Sequence, residues 1–306
     1  MTDSAAGAST APAGAKGAAS TAERVEVVSS DGARSEISVS PGPGGEGAPV
    51  AICLPAMGVA ATFYRPLAEA LGQERFHVIT CDLRGIGSSS VRAGRGVSFG
   101  YPELLERDIP AVVAAARARF PRSPVYLLGH SLGGQLAALY LAVQPEAVDG
   151  VVLVAAGSVY FRAYPFPHSV RFLLGTQLAR AISSAWGYFP GHKLGFAGRE
   201  ARGVIRDWSR QARTGRYDFV VDGAIAEDLF PRARGSVLAI SVEDDVLAPV
   251  SAVDHICGKL ANADVSRWHY VAPDGARIDH FRWVKRPAPV AAQIRAWVDG
   301  LSSRSS

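Results

Sequence analysis

Short apolar runs recur from about residue 24 to residue 302 and alternate with longer stretches of helical period. Arg24–Ser29 and Ser35–Ser40 alternate polar and apolar positions, the period-2 pattern of an antiparallel edge pair with one face in water. After them the runs lose their polar positions. Pro49–Leu54, Phe76–Cys81, Val125–Leu128, Val151–Ala155, Val237–Val242 and Ser266–Val271 read as strands covered on both faces. Between them the pattern predicts helices from about Tyr64 to Leu71, over 102–119, from Gln135 to Ala142, near 250–260 and over 289–301. Pro110 falls inside the second of these and predicts either a first-turn position or a kink. Pro41-Gly-Pro-Gly-Gly-Glu-Gly47 predicts a turn between early strands. Short apolar strands alternating with helices predict an α/β fold, a mostly parallel, doubly wound sheet.

The alternation stops between Val159 and Arg232, soon after the sixth strand. This stretch holds 13 of the 26 aromatic residues, half the aromatic side chains in a quarter of the chain. A bare loop of that length is unusual, so a mostly helical cap over the strand ends is expected, with Tyr160, Phe161 and Trp186 as candidate pocket residues. Its 11 Lys/Arg against 6 Asp/Glu fit a solvated basic face better than an anionic substrate site. The expected organisation is a disordered Ala/Gly/Ser-rich tail at 1–22, a core of 23–158 and 233–302, a cap of 159–232 and a flexible end at 303–306. The tail lacks the apolar stretch of a signal peptide, and three cysteines (Cys53, Cys81 and Cys257) read as free thiols, so a cytoplasmic location is expected. A net charge of +4 without a Lys/Arg block argues against nucleic acid, and no run is apolar enough for membrane insertion.

Gly129-His-Ser-Leu-Gly133 sits between the Val125–Leu128 run and a helix, the context in which a sharp turn lifts a serine hydroxyl clear of a sheet. Ser131 is therefore the candidate nucleophile, with His130 beside it as a pocket candidate. A serine needs a base, and the base an orienting carboxylate. Glu243-Asp-Asp245 follows the Val237–Val242 strand, and Asp245 is preferred because Pro249 turns the chain into the next helix, with Asp244 and Glu243 behind it. His280 lies in the loop after the last strand and reads as the base; His255 falls in a helical pattern and His269 in a strand. The oxyanion donors are expected from the Leu132 N–H and from the Pro55-Ala-Met-Gly58 loop, with Met57 donating and Gly58 allowing close approach.

Together these residues resemble the α/β-hydrolase superfamily over nearly all of 24–302. Cys81-Asp-Leu-Arg-Gly-Ile-Gly-Ser88 resembles a conformational segment of many members, and Pro55–Tyr64, Gly187-Tyr-Phe-Pro-Gly191 and His280-Phe-Arg-Trp283 are similar to a group of bacterial predicted α/β-hydrolases of poorly defined substrate. The resemblance implies an α/β-hydrolase fold with a Ser131–Asp245–His280 triad and Met57 and Leu132 as oxyanion donors. Two positions depart from the pattern. Pro55-Ala56 stands where many members carry His-Gly, and Asp279 precedes the base where glycine is common, so that it could raise the His280 pKa or compete for its N–H. The expected activity is a serine hydrolase acting on a small-molecule ester or thioester with an apolar part, without metal or cofactor. The alternatives are an acyltransferase on the same residues, a non-catalytic binding protein that kept the fold, and carbon–carbon bond hydrolysis or lyase chemistry at a similar site.

Overall fold

The computed structural model describes residues 22–304. The expected tail thus lies outside the described residues except for Ala22. Eight strands form one sheet: β1 (Glu23–Val28), β2 (Arg34–Ser40), β3 (Val50–Leu54), β4 (His77–Cys81), β5 (Val125–His130), β6 (Gly150–Val154), β7 (Ser236–Val242) and β8 (Asp264–Tyr270). Their spatial order is β1-β2-β4-β3-β5-β6-β7-β8. The β1–β2 and β2–β4 pairs are antiparallel and every other pair is parallel.

Successive residues of the inner strands feed opposite faces. Val50, Ile52 and Leu54 of β3 and Val125 and Leu127 of β5 pack with the helices of one face: Ile109–Arg119 (α2), Leu132–Val143 (α3) and Val250–Cys257 (α6). Ala51 and Cys53 of β3 and Tyr126 and Leu128 of β5 face Arg65–Gln73 (α1) and Ala288–Arg304 (α7) on the other. Helix α7 runs to Arg304, so residues 303 and 304 continue a helix where a flexible end was expected. Every residue of α3 is buried, which holds the helix after Ser131 in one position.

Pro110 is accommodated by a change of helical period. Leu104–Asp108 forms a π-type turn ahead of α2, and the Ile109 N–H bonds the Leu104 carbonyl, five residues back. The register shift suits a residue without an N–H at the start of the next α segment.

The stretch between β6 and β7 holds two long helices, His168–Trp186 (α4) and Arg202–Thr214 (α5). It is less purely helical than its composition suggested. Tyr188–Pro190 pairs with Arg199–Ala201, and Val220–Val221 with Ala224–Ile225, as two small antiparallel ribbons. Trp208, Tyr217, Phe219 and Phe230 join the same buried cluster as the adjoining sheet face, so this insert shares the core of the body.

Candidate active site

Ser131 closes β5 and opens α3 with φ 54° and ψ −115°, a left-handed conformation that costs a non-glycine residue roughly 1–3 kcal/mol. Its N–H donates to the Val154 carbonyl at 3.1 Å, and its own carbonyl accepts from Gly134 and Gln135 to start the helix. Glycines make the turn feasible. A Cβ on Gly133 would lie 2.2 Å from the Leu54 carbonyl oxygen, and one on Gly129 would lie 2.3 Å from the Gly133 backbone.

The strand ends bring three side chains together. His280 Nε2 lies 2.9 Å from Ser131 Oγ. His280 Nδ1 lies 2.8 Å from Asp245 Oδ2 and 3.0 Å from Oδ1. Because a carboxylate can only accept, Nδ1 carries the proton and Nε2 is free to accept from the serine hydroxyl. The Asp245 side chain is fully enclosed, and its Oδ1 accepts the N–H groups of Leu247 and Ala248 at 2.9 and 2.8 Å. Asp244 is exposed with φ 58° in the turn, which removes it as the partner. His269 instead pairs with Ser241 Oγ, and the His255 ring packs against Tyr160.

Asp279 does not reach into this arrangement. Its Oδ1 accepts the N–H groups of Phe281 and Arg282, and its Oδ2 pairs with the Arg282 guanidinium. Burial raises its pKa, but those N–H bonds and the nearby Arg282 and Arg277 charges outweigh this and hold the carboxyl below its ordinary value. Its visible role is to cap the turn that leads to Trp283.

The Pro55-Ala-Met-Gly58 loop forms a turn in which the Val59 N–H bonds the Ala56 carbonyl and Gly58 takes φ 73°. Leu132 heads α3, so its N–H has no intrahelical acceptor. Met57 and Leu132 border the same cavity as Ser131 and His280. Gly58 faces the insert: a Cβ there would lie 2.0 Å from the Gly198 nitrogen. Asp82 braces the following segment, accepting the Ala61 N–H and both the N–H and hydroxyl of Ser88.

His130, expected at the pocket, is fully buried behind the turn. Its Nδ1 lies 2.8 Å from the Tyr64 hydroxyl and its Nε2 lies 2.8 Å from the His280 carbonyl oxygen. The carbonyl requires a proton on Nε2, so Nδ1 accepts from Tyr64. Tyr64 Oη in turn accepts the Ala56 N–H at 2.8 Å. Trp283 Nε1, a donor only, sits 3.4 Å from the already protonated Nε2 and is a packing contact. Burial, and then the nearby His280, push the His130 pKa well below its ordinary value, which keeps this link neutral. One imidazole thus joins the Met57 loop to the backbone of His280.

The cavity over Ser131 measures about 130 Å³. Its aromatic walls are Phe172, Phe196, Trp208 and Phe281. The three aromatic candidates read from sequence lie elsewhere. Tyr160 packs on Phe161, and Trp186 is 53% exposed at the end of α4. The reason is geometric: the insert turns Phe172 and Trp208 toward the strand ends, and aromatic content alone does not reveal which ring faces inward. Tyr164, stacked on Phe172, ties the insert to the acid loop through its hydroxyl, which donates to the Leu247 carbonyl at 2.8 Å.

Known proteins share this arrangement of chain. The family model described as serine aminopeptidase, S33, matches residues 48–230, more than half of the chain. The biotin biosynthesis bifunctional protein BioHC of Cellvibrio japonicus is 26% identical over 223 residues, 69% of this chain and 41% of that protein. The monoglyceride lipase of Rattus norvegicus is 30% identical over 92 residues, 30% of this chain and 29% of that one. The chain therefore spans less than half the length of these curated relatives. Among solved structures, the esterase Pf2001 of Pyrococcus furiosus is similar at TM-score 0.58 and 16% identity, covering 91% of this chain and 89% of the other. A thermophilic esterase from Thermogutta terrifontis is similar at TM-score 0.57 and 18% identity, covering 91% and 98%. At such identities the structural likeness speaks for the fold. The family match covers both the serine turn and most of the insert, and this chain belongs to the serine aminopeptidase S33 family of α/β-hydrolases.

Proposed function

We propose that the protein is a serine hydrolase that cleaves a carboxylic ester or thioester through an acyl-enzyme on Ser131. The observation that carries this reading is the unbroken hydrogen-bond chain from Ser131 Oγ through the His280 imidazole to Asp245. Ser131 Oγ attacks the substrate carbonyl while His280 Nε2 takes its proton, and Asp245 stabilises the resulting imidazolium. The Met57 and Leu132 N–H groups bind the oxyanion, each donor contributing on the order of 3 kcal/mol in the transition state. The tetrahedral adduct collapses with expulsion of the alcohol or thiol, which receives the proton from His280. Water then attacks the acyl-enzyme with His280 as base, and the released proton returns to Ser131 as the carboxylic acid leaves.

Residues 159–232 act as a cap in this reading, because Phe172, Phe196 and Trp208 roof the cavity. The apolar walls favour an apolar acyl or alcohol part. They speak against an aminopeptidase, which needs a carboxylate to hold the substrate ammonium, whereas no Asp or Glu among the described residues borders the cavity. Free Cys53, Cys81 and Cys257 suit a reducing, cytoplasmic setting. No helix among the described residues is long and apolar enough to cross a membrane. Hydrolysis of a panel of activated esters tests the proposal. Ser131→Ala should lose on the order of a millionfold in turnover on whichever ester is cleaved. Undiminished turnover in that variant would remove the mechanism.

A further inference from the structure

Half of the large apolar side chains that are exposed among the described residues fall within 166–196. On helix α4, Val170, Leu174 and Leu178 recur every fourth position, so they form one stripe along a single face, at 46, 64 and 61% exposure. Phe166, two residues ahead of the helix, is 83% exposed. Isolated exposed apolar residues need no explanation, but a continuous row along one helix face does. Phe172, on another face of the same helix, lines the cavity over Ser131, and Phe196 both lines that cavity and stays 40% exposed. At about 3.6 residues per turn Phe172 projects roughly opposite the stripe, so the stripe lies on the outer face of the insert.

Charge identifies what covers it. On the same helix Arg171 and Arg180 flank the stripe, and neither has an ion pair among the described residues. The acids of the insert are engaged elsewhere: Glu200 is buried, Asp207 pairs with Arg206, Asp218 with Arg210 and Arg216, Asp222 with Arg232, Glu227 with Lys259, and Asp228 with Arg216. We propose that this face of the insert docks peripherally on an anionic lipid surface, with α4 lying in the interface plane. Such a surface provides both an apolar layer for the leucines and phosphate groups for the arginines. A second copy of the chain fits poorly, because symmetric pairing would oppose Arg171 and Arg180 to the same residues of the partner with no free carboxylate of the insert between them. Residues 1–21, mostly Ala, Gly, Ser and Thr with one Lys and one Asp, provide neither the large apolar side chains nor the negative charge.

The test is cosedimentation of the full chain with phosphatidylcholine vesicles, with and without phosphatidylglycerol, across a salt series. The proposal expects binding to the anionic vesicles that weakens as salt rises. Leu174→Asp with Leu178→Asp should abolish it. Arg171→Glu with Arg180→Glu should weaken it by at least about tenfold and flatten the salt dependence. All four positions lie outside the cavity walls, so melting temperature and turnover of a water-soluble ester should stay at wild-type values in both variants. This separates a docking defect from a failure of the hydrolase reading, which would abolish turnover in every form. Equal binding to neutral vesicles, no binding to either, or a solution dimer that Leu174→Asp dissociates would each overturn the proposal.

Discussion

Replacing Glu200 by glutamine isolates the cost of a buried carboxylate that the proposed chemistry does not use. Glu200 lies in the ribbon strand Arg199–Ala201 and is 6% exposed. Its Oε1 accepts the Gly198 N–H at 3.0 Å, beside the contact between Gly198 and Gly58. Burial pushes its carboxyl up from 4.5 to about 7, against the opposing effect of the Gly198 N–H. The sign follows from which state holds the proton. Below pH 4.5 both states are protonated and the group contributes no pH dependence. Between 4.5 and about 7 the unfolded chain releases a proton that the folded chain keeps, so stability falls as pH rises. Above that the whole cost is present, on the order of 3 kcal/mol at about 1.4 kcal/mol per pH unit. Glutamine keeps the acceptor for Gly198 and cannot ionise. Glu200→Gln should therefore melt roughly 5–8 °C higher than wild type at pH 8, and the gap should close toward pH 4.5. Differential scanning fluorimetry across that range reads the effect directly. A gap independent of pH, or a variant less stable than wild type at pH 8, would refute the reasoning.

Three further substitutions probe the site itself. Gly133→Ala places a methyl 2.2 Å from the Leu54 carbonyl oxygen, so it should lose more than about 2 kcal/mol in a denaturant titration or fail to fold. Tyr64→Phe leaves both the Ala56 N–H and His130 Nδ1 without their partner, and should lower kcat by about tenfold or more with KM nearly unchanged; a matching loss in KM instead would deny the link to the oxyanion loop. Phe196→Ala opens one wall of the cavity at a partly exposed position, and should shift relative kcat/KM toward longer acyl chains by about tenfold with little change in melting temperature.

Much of the sheet was legible because its inner strands are covered on both faces and leave nearly unbroken apolar runs, displaced by only a residue or two from the observed strands. Ser131, Asp245 and His280 could be singled out because a glycine-flanked turn needs a strand before it and a helix after it, and because strand ends on this kind of sheet meet at one edge. What the sequence hid is set by contacts between distant residues. His130 stands next to Ser131 in the chain, yet Tyr64 and the His280 carbonyl, 66 and 150 residues away, hold it in the interior. Trp186 and Trp208 are equally aromatic, but only the packing of α4 on α5 decides that one is exposed and the other faces the cavity. Pro110 announced an irregularity in its helix without specifying a π-type turn, because period change and kink both relieve a missing N–H.

The central claim is that Ser131 is the nucleophile and that His280 activates it. A fluorophosphonate probe followed by peptide mass spectrometry tests both parts together. The account predicts one adduct, on Ser131, formed rapidly in the wild-type protein and at a small fraction of that rate in His280→Ala. An adduct on a different residue, no adduct in folded protein, or an undiminished rate without His280 would contradict it.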